Sequence, residues 1–151
     1  HGISQCFGTI LFTYPREGVG LTNARSRIQI DRYSSLQGKD IGIDYLVKNN
    51  CFAGWKTLFS KSNTALIYNK VDFGNEKVAE ITVRAKSAKG GVLVVRADGK
   101  KGNIIAKVKI PKSAAWKNVR AQVLHAPLGV HALHVSLQSG ADVEVDWLGF
   151  I

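Results

Sequence analysis

Acidic side chains are scarce in this chain: 11 Asp and Glu stand against 21 Lys and Arg, a formal net charge of +10 at neutral pH. A glycosidase needs two carboxylates facing each other across a cleft. Most of the acidic residues here fall in turns or on alternate strand positions, so no such pair is visible and a hydrolytic centre is not expected. Cysteine is rarer still. Cys6 and Cys51 are too few and too far apart for a zinc motif; they read either as one disulfide in an oxidising compartment or as two separate buried thiols. No Ser sits in a G-x-S-x-G elbow and neither Cys adjoins a His, so a nucleophilic triad has no support. His125 precedes a turn, and His131 and His134, three apart in a predicted strand, point to opposite faces and cannot share a metal from that strand. No apolar run is long enough to span a membrane, and no stretch of ten or more residues carries a helical stripe.

What is present suits one β-domain. The 151 residues are enough for a single sizeable core, and 45% apolar with 21% charged residues is ordinary for a globular protein. The chain starts at His1 without a basic-then-apolar leader, which leads us to expect a mature chain or an excised domain. Its charge makes nucleic acid, anionic lipid or acidic polysaccharide conceivable partners. The lysines, however, are dispersed from Lys39 to Lys117, at turns and on alternate strand positions, as on a solvated β-surface. There is no basic tail, Arg-rich helix or aromatic pattern of an RNA-binding sheet, so neither nucleic acid nor membrane is the expected partner.

The dominant period is two. In "VAEITVRAKS", Ala79, Ile81, Val83 and Ala85 share one face while Glu80, Thr82, Arg84 and Lys86 share the other. Turn signals ("KGG", "DGKKGN") separate this strand from "VLVVRA" and "IIAKVKI". "WKNVRAQV", "GVHALHVSLQS", "RIQIDRYSS", "TALIYNKVDFG" and the closing "VEVDWLGFI" repeat the pattern. Several short strands of this kind predict an antiparallel β-sandwich over residues 25–151. Residues 1–24 lack clean alternation but hold the apolar patch "TILFTY"; they read as a linker or the tail of a preceding domain, packed on the sandwich. The last strand sets a puzzle, because strict alternation puts Asp142, Glu144 and Asp146 on one face and Val143, Val145 and Trp147 on the other.

Four motifs occur in order: "IQID", "YNKVDFG", a Trp after "IPKSAA", and a terminal "VDWLGF". Over about Arg27 to Ile151 this arrangement resembles the family 6 carbohydrate-binding modules. The resemblance implies a jelly-roll β-sandwich of two antiparallel sheets, with no catalysis. It also implies a structural calcium ion held by Gln29, Asp31 and Asp146, where Asp31 stands in place of the family's Glu. Two carboxylates and an amide oxygen supply about half of a calcium shell. For sugar binding it implies a cleft in which aromatic rings bury the flat C–H faces of a pyranose while polar groups fix its hydroxyls. Trp116, expected in a loop after Pro111, matches one ring. Phe59 is the nearest counterpart of the second, with Trp55 as another candidate, since the family's G-D-W stretch is missing; Glu144 stands where the family has Asn.

The function that follows is a polysaccharide-binding module appended to a secreted, cell-surface or periplasmic glycoside hydrolase and holding that enzyme on its substrate. The alternative is a structural β-sandwich of such an enzyme that packs against the catalytic domain without binding sugar. Lys56, Lys61 and Lys117 near the expected cleft would favour a ligand bearing carboxylate or sulfate.

Overall fold

The computed structural model describes residues 20–151. Cys6 and "TILFTY" lie outside the described residues, as does most of the 1–24 segment. Twelve strands follow one another: β1 (Thr22–Asn23), β2 (Ile28–Gln29), β3 (Ser35–Gln37), β4 (Ile41–Val47), β5 (Asn50–Phe59), β6 (Ala65–Asp72), β7 (Glu80–Ser87), β8 (Gly91–Ala97), β9 (Ile104–Ile110), β10 (Ser113–Gln122), β11 (Val130–Gly140) and β12 (Val143–Phe150). No helix occurs among the described residues.

The strands form two six-stranded sheets. One runs β1-β6-β11-β8-β9 with β3 also on β6; the other runs β10-β7-β12-β5-β4 with β2 also on β12. Every pairing is antiparallel except β1 with β6. The sheets pack face to face, as alternation requires. Ile81, Val83 and Ala85 of β7 point inward against Leu93 and Val95 of β8 and Leu133, Val135 and Leu137 of β11, all within one buried cluster. Burying such side chains contributes roughly 1.5–3 kcal/mol each, which holds the two layers together. This is the jelly-roll sandwich that the sequence predicts.

Three features depart from strict alternation. Ile41–Phe59 forms a long β4–β5 hairpin that the sequence pattern did not mark as strands, because its apolar residues are not confined to one face. Trp116 lies within β10 and not in a loop, at an irregularity where the pairing with β7 slips between Ser113 and Lys117. In β12, Val145 pairs with Ala85 but Trp147 pairs with Arg84, so Asp146 is an extra residue at a bulge. The bulge inverts the alternation. Trp147 therefore lies on the outer face with Glu144, while Leu148 and Phe150 continue the core.

Candidate functional site

The outer face of the β10-β7-β12-β5-β4 sheet gathers most of the residues singled out from the sequence. Arg84 and Lys86 point outward from β7 because Ile81, Val83 and Ala85 take the inner positions. Across from them stand Trp147 and Glu144, their register partners on β12. Trp116 comes from β10, and its ring has the Arg84 guanidinium 5.6 Å and the Lys86 ammonium 5.2 Å from its centroid. The Arg27 guanidinium lies 4.9 Å over Trp147. Cations over indole faces in this way are attracted by the ring quadrupole. Arg27, Arg84, Trp116, Asn118 and Trp147 line a shallow hollow of about 370 Å³. Arg27, Arg84 and Trp147 also border an adjoining hollow of about 440 Å³, which reaches Trp55 on β5. Trp55 is 39% exposed and stacks at a tilt on Tyr45, ring centroids 4.6 Å apart.

The three terminal carboxylates each have a different cation, which answers the puzzle of the last strand. Asp142, left-handed at φ 52° in the turn before β12, pairs with Lys89 at 2.6 Å. Glu144 lies between Lys56 at 2.6 Å and Lys86 at 3.4 Å. Asp146, at the bulge and only 4% exposed, accepts a 2.8 Å hydrogen bond from Arg84 Nη1.

Gln29, Asp31 and Asp146 are brought together, since all three line the larger hollow and Ile30 N donates to the Asp146 carbonyl. Burial raises the Asp146 carboxyl above the usual range, and Arg84 opposes that rise. Burial also raises Asp31, to which the neighbouring Asp146 charge adds. A cation would relieve both groups. The donor set thus fits a calcium ion in chemistry, with one Asp146 oxygen engaged by Arg84 and two carboxylates plus an amide oxygen as the side-chain donors. Among the described residues no group of three or more His, Cys, Asp or Glu side chains is arranged to hold a metal.

Phe59 is the clear correction. It is 0% exposed, packed in the core where β5 pairs with Val143 of β12, so its ring offers no face to a ligand. The alignment of a motif locates a residue along the strand but not the face on which it emerges. The expected lysine rim also changes. Lys56 is engaged by Glu144 and Lys61 pairs with Asp40 at 3.6 Å, whereas Arg27, Arg84 and Lys86 are the cations at the rings. Sequence reasoning missed Trp147, because alternation placed it inside and only the bulge turns it out. Alternation held no signal of it, because Asp146 fits the polar face of an unbroken strand as well as it fits a bulge.

The opposite sheet carries a separate pocket of about 170 Å³, lined by Gln37, Asn63, Arg96, His134, Ser136 and Gln138 among others. His134 is 3% exposed and neither ring nitrogen has a hydrogen-bond partner among the described residues. Burial, aided by Arg96, lowers its pKa, so the imidazole is held neutral.

The family model of the carbohydrate binding module (family 6) matches residues 38–151. The chain belongs to the family 6 carbohydrate-binding modules. Such a module is a non-catalytic domain, in keeping with the absence of a paired-carboxylate cleft from the sequence. The match begins after Gln29 and Asp31. An endo-1,4-beta-xylanase A of Thermoclostridium stercorarium is 27% identical over 139 residues, 90% of this chain but 20% of the xylanase. The chain therefore spans about a fifth of that curated relative. In fold it is similar to a module of Clostridium stercorarium solved with cellobiose, with a TM-score of 0.76, 21% identity and coverage of 87% of this chain and 97% of the other. It is also similar to a family 36 module solved with calcium and xylotriose, with a TM-score of 0.62, 16% identity and coverage of 83% and 99%. At those identities the likeness shows the fold.

Proposed function

We propose that this module anchors a secreted polysaccharide-degrading enzyme to a β-linked glycan of the xylan or glucan type. The glycan lies along the outer-face groove where Trp116, Trp147 and Trp55 follow one another. The observation that carries this reading is the succession of three indoles along two adjoining hollows, interleaved with Arg27, Arg84 and Lys86. Indole faces bury the C–H faces of pyranose rings, Asn118 lies beside them to meet hydroxyls, and the cations favour a glycan carrying carboxylate groups, whereas Glu144 is engaged by Lys56 and Lys86. The kind of relative supports the class of ligand: one is a xylanase, and the solved modules hold cellobiose or xylotriose. The gain to the enzyme is effective concentration on an insoluble substrate.

Gln29, Asp31 and Asp146 would hold a calcium ion, whose charge offsets the buried Asp146 and half-buried Asp31 carboxylates and ties the β2 segment to β12. A second reading of the sugar contact, at the His134 pocket, rests on its buried unpartnered imidazole ringed by amide and hydroxyl groups.

Titrating the domain with xylotriose and with a glucuronic acid-bearing xylo-oligosaccharide, at low and high salt, tests these readings. Tighter binding of the acidic sugar that weakens with salt, and its loss in Trp116→Ala and Trp147→Ala, support the groove. Retention of binding in both variants together with its loss in Ser136→Trp transfers the site to the His134 pocket. No binding of either sugar by the unmodified domain sinks both readings and leaves the packing role.

A further inference from the structure

The sheet that does not carry the tryptophan groove has a basic outer face. Leu133, Val135 and Leu137 take the inward positions of β11, which leaves His134, Ser136 and Gln138 outside. Arg96 of β8 stands opposite His134 on one side and Ile67 of β6 on the other. Lys107 and Lys109 alternate with the buried Ala106, Val108 and Ile110 of β9, so they share this face. No Asp or Glu belongs to β3, β8, β9 or β11, and Asp72, at the end of β6, accepts from Gly74 N. The pocket of about 170 Å³ sits in this field, and its walls are fixed. Pairing of β3 with β6 sets Gln37 beside Ala65. Asn63, left-handed at φ 68°, donates its backbone N–H to the Leu137 carbonyl at 3.2 Å. Arg96 Nη1 donates to the Gly102 carbonyl at 3.0 Å, which leaves its other N–H groups to bind elsewhere. Lys100, from the turn between β8 and β9, also lines the pocket. Neither Arg96 nor Lys100 forms an ion pair among the described residues, and no carboxylate lines the pocket.

We propose that this pocket binds a tetrahedral oxyanion, a sulfate or phosphate group free or borne on a sugar, held by Arg96 and Lys100 with Gln37, Asn63 and Ser136 as uncharged donors. Two cations without a counter-ion suit an anion and repel a metal. Amide and hydroxyl donors reach the pocket from β3, β11 and the turn before β6, which matches an ion with oxygens on every side better than a carboxylate with one edge. Binding here stands whether a glycan chain lies in the tryptophan groove or reaches this pocket, because the group recognised is the oxyanion and not the sugar ring. His134 makes it depend on pH. Burial, then the charges of Arg96 and Lys100, oppose protonation of the imidazole, and no carboxylate faces it from β6, β8, β11 or the β8–β9 turn. An anion offsets those two cations. Bound anion therefore raises the proton affinity of His134, and by reciprocity protonation tightens the anion.

Sodium sulfate is the probe, because it keeps its charge between pH 7.5 and 5.5 and any pH effect then belongs to the protein. The isotope-labelled full chain is titrated against chloride at a fixed ionic strength of about 0.15 M, with the His134 ring followed by NMR. A saturable shift of the ring is expected, with its pKa raised by sulfate and affinity higher at pH 5.5 than at pH 7.5 by about threefold or more. Arg96→Met should weaken binding by about tenfold or more, and Lys100→Met by about two- to fivefold. Lys109→Met removes the same charge from the same face outside the pocket and should change it by less than about twofold. His134→Gln should keep binding and lose its pH dependence. Glucose 6-sulfate, run beside glucose, separates the sources: saturable binding of the sugar sulfate assigns the pocket to a sulfated glycan, whereas binding of sulfate alone assigns it to the free ion. Equal losses in Lys100→Met and Lys109→Met would reduce the effect to the diffuse charge of the face. A ring moved by glucose and not by sulfate, or by neither, overturns the assignment.

Discussion

Replacing Arg84 with methionine removes the guanidinium that donates to Asp146 at 2.8 Å but keeps most of the aliphatic stem. Stripping one partner from a buried ion pair costs about 3–5 kcal/mol, because the remaining charge is left in a poor dielectric. Asp146 is buried, but the Arg84 side chain is 38% exposed and part of its contribution is screened. A loss of about 2–3 kcal/mol at pH 7 follows, which in a domain of this size lowers Tm by about 4–12 °C. The pH dependence identifies the cause. Burial already lifts the Asp146 carboxyl above its ordinary value against the pull of Arg84, and without Arg84 it rises further. A carboxyl raised in the folded state penalises folding while ionised, and the penalty disappears as pH falls through the folded pKa toward the unfolded value near 3.8. The gap between variant and parent should therefore narrow on acidification. Asp146→Asn added to Arg84→Met should recover most of the loss at neutral pH, since the amide carries no charge. Thermal unfolding at pH 7 and pH 5 measures both effects. An equal deficit at the two pH values, or no rescue by the amide, refutes the buried-charge reasoning.

Calcium at about one hundred times its Kd should stabilise the domain by about 2.7 kcal/mol in an unfolding scan; a Tm indifferent to calcium and chelator removes the metal from Gln29, Asp31 and Asp146. Asp31→Asn should raise stability at neutral pH without calcium, because it eliminates a carboxylate penalised by burial and by Asp146, and should abolish any calcium response. Phe59→Ala should cost about 3–5 kcal/mol in denaturant unfolding yet leave glycan affinity unchanged under conditions where the variant is folded, since the ring faces the core. His134 is held neutral by burial, so stability should decline as pH falls below the unfolded value of 6.5 toward its lowered folded pKa; His134→Leu should flatten that part of the profile.

Much of the fold was legible because a sandwich strand is written locally. Ile81, Val83 and Ala85 alternate with Thr82, Arg84 and Lys86, and a period of two admits only one way to bury the first set. The convergence of Gln29, Asp31 and Asp146 was legible too, through motifs at the two ends of the domain that the sheet pairs side by side. The N-terminal segment and its cysteine remained beyond what alternation can place.

The amino-acid sequence by itself determined the all-β class, the inward face of most strands and the place of Glu144 and Asp146 in one terminal strand, since each follows from periodicity along the chain; Asp142, expected with them, falls in the turn before β12. Only the tertiary structure decided which side chains reach solvent at the site. One extra residue at Asp146 turns Trp147 outward, and an irregular pairing sets Trp116 within β10 beneath Arg84 and Lys86. The register with Val143 sends Phe59 into the core, while the hairpin leaves the sheet because β2 takes its place beside β12. Bulges and strand exchanges are settled by hydrogen bonds and packing between segments far apart in sequence, and a local period carries no record of them.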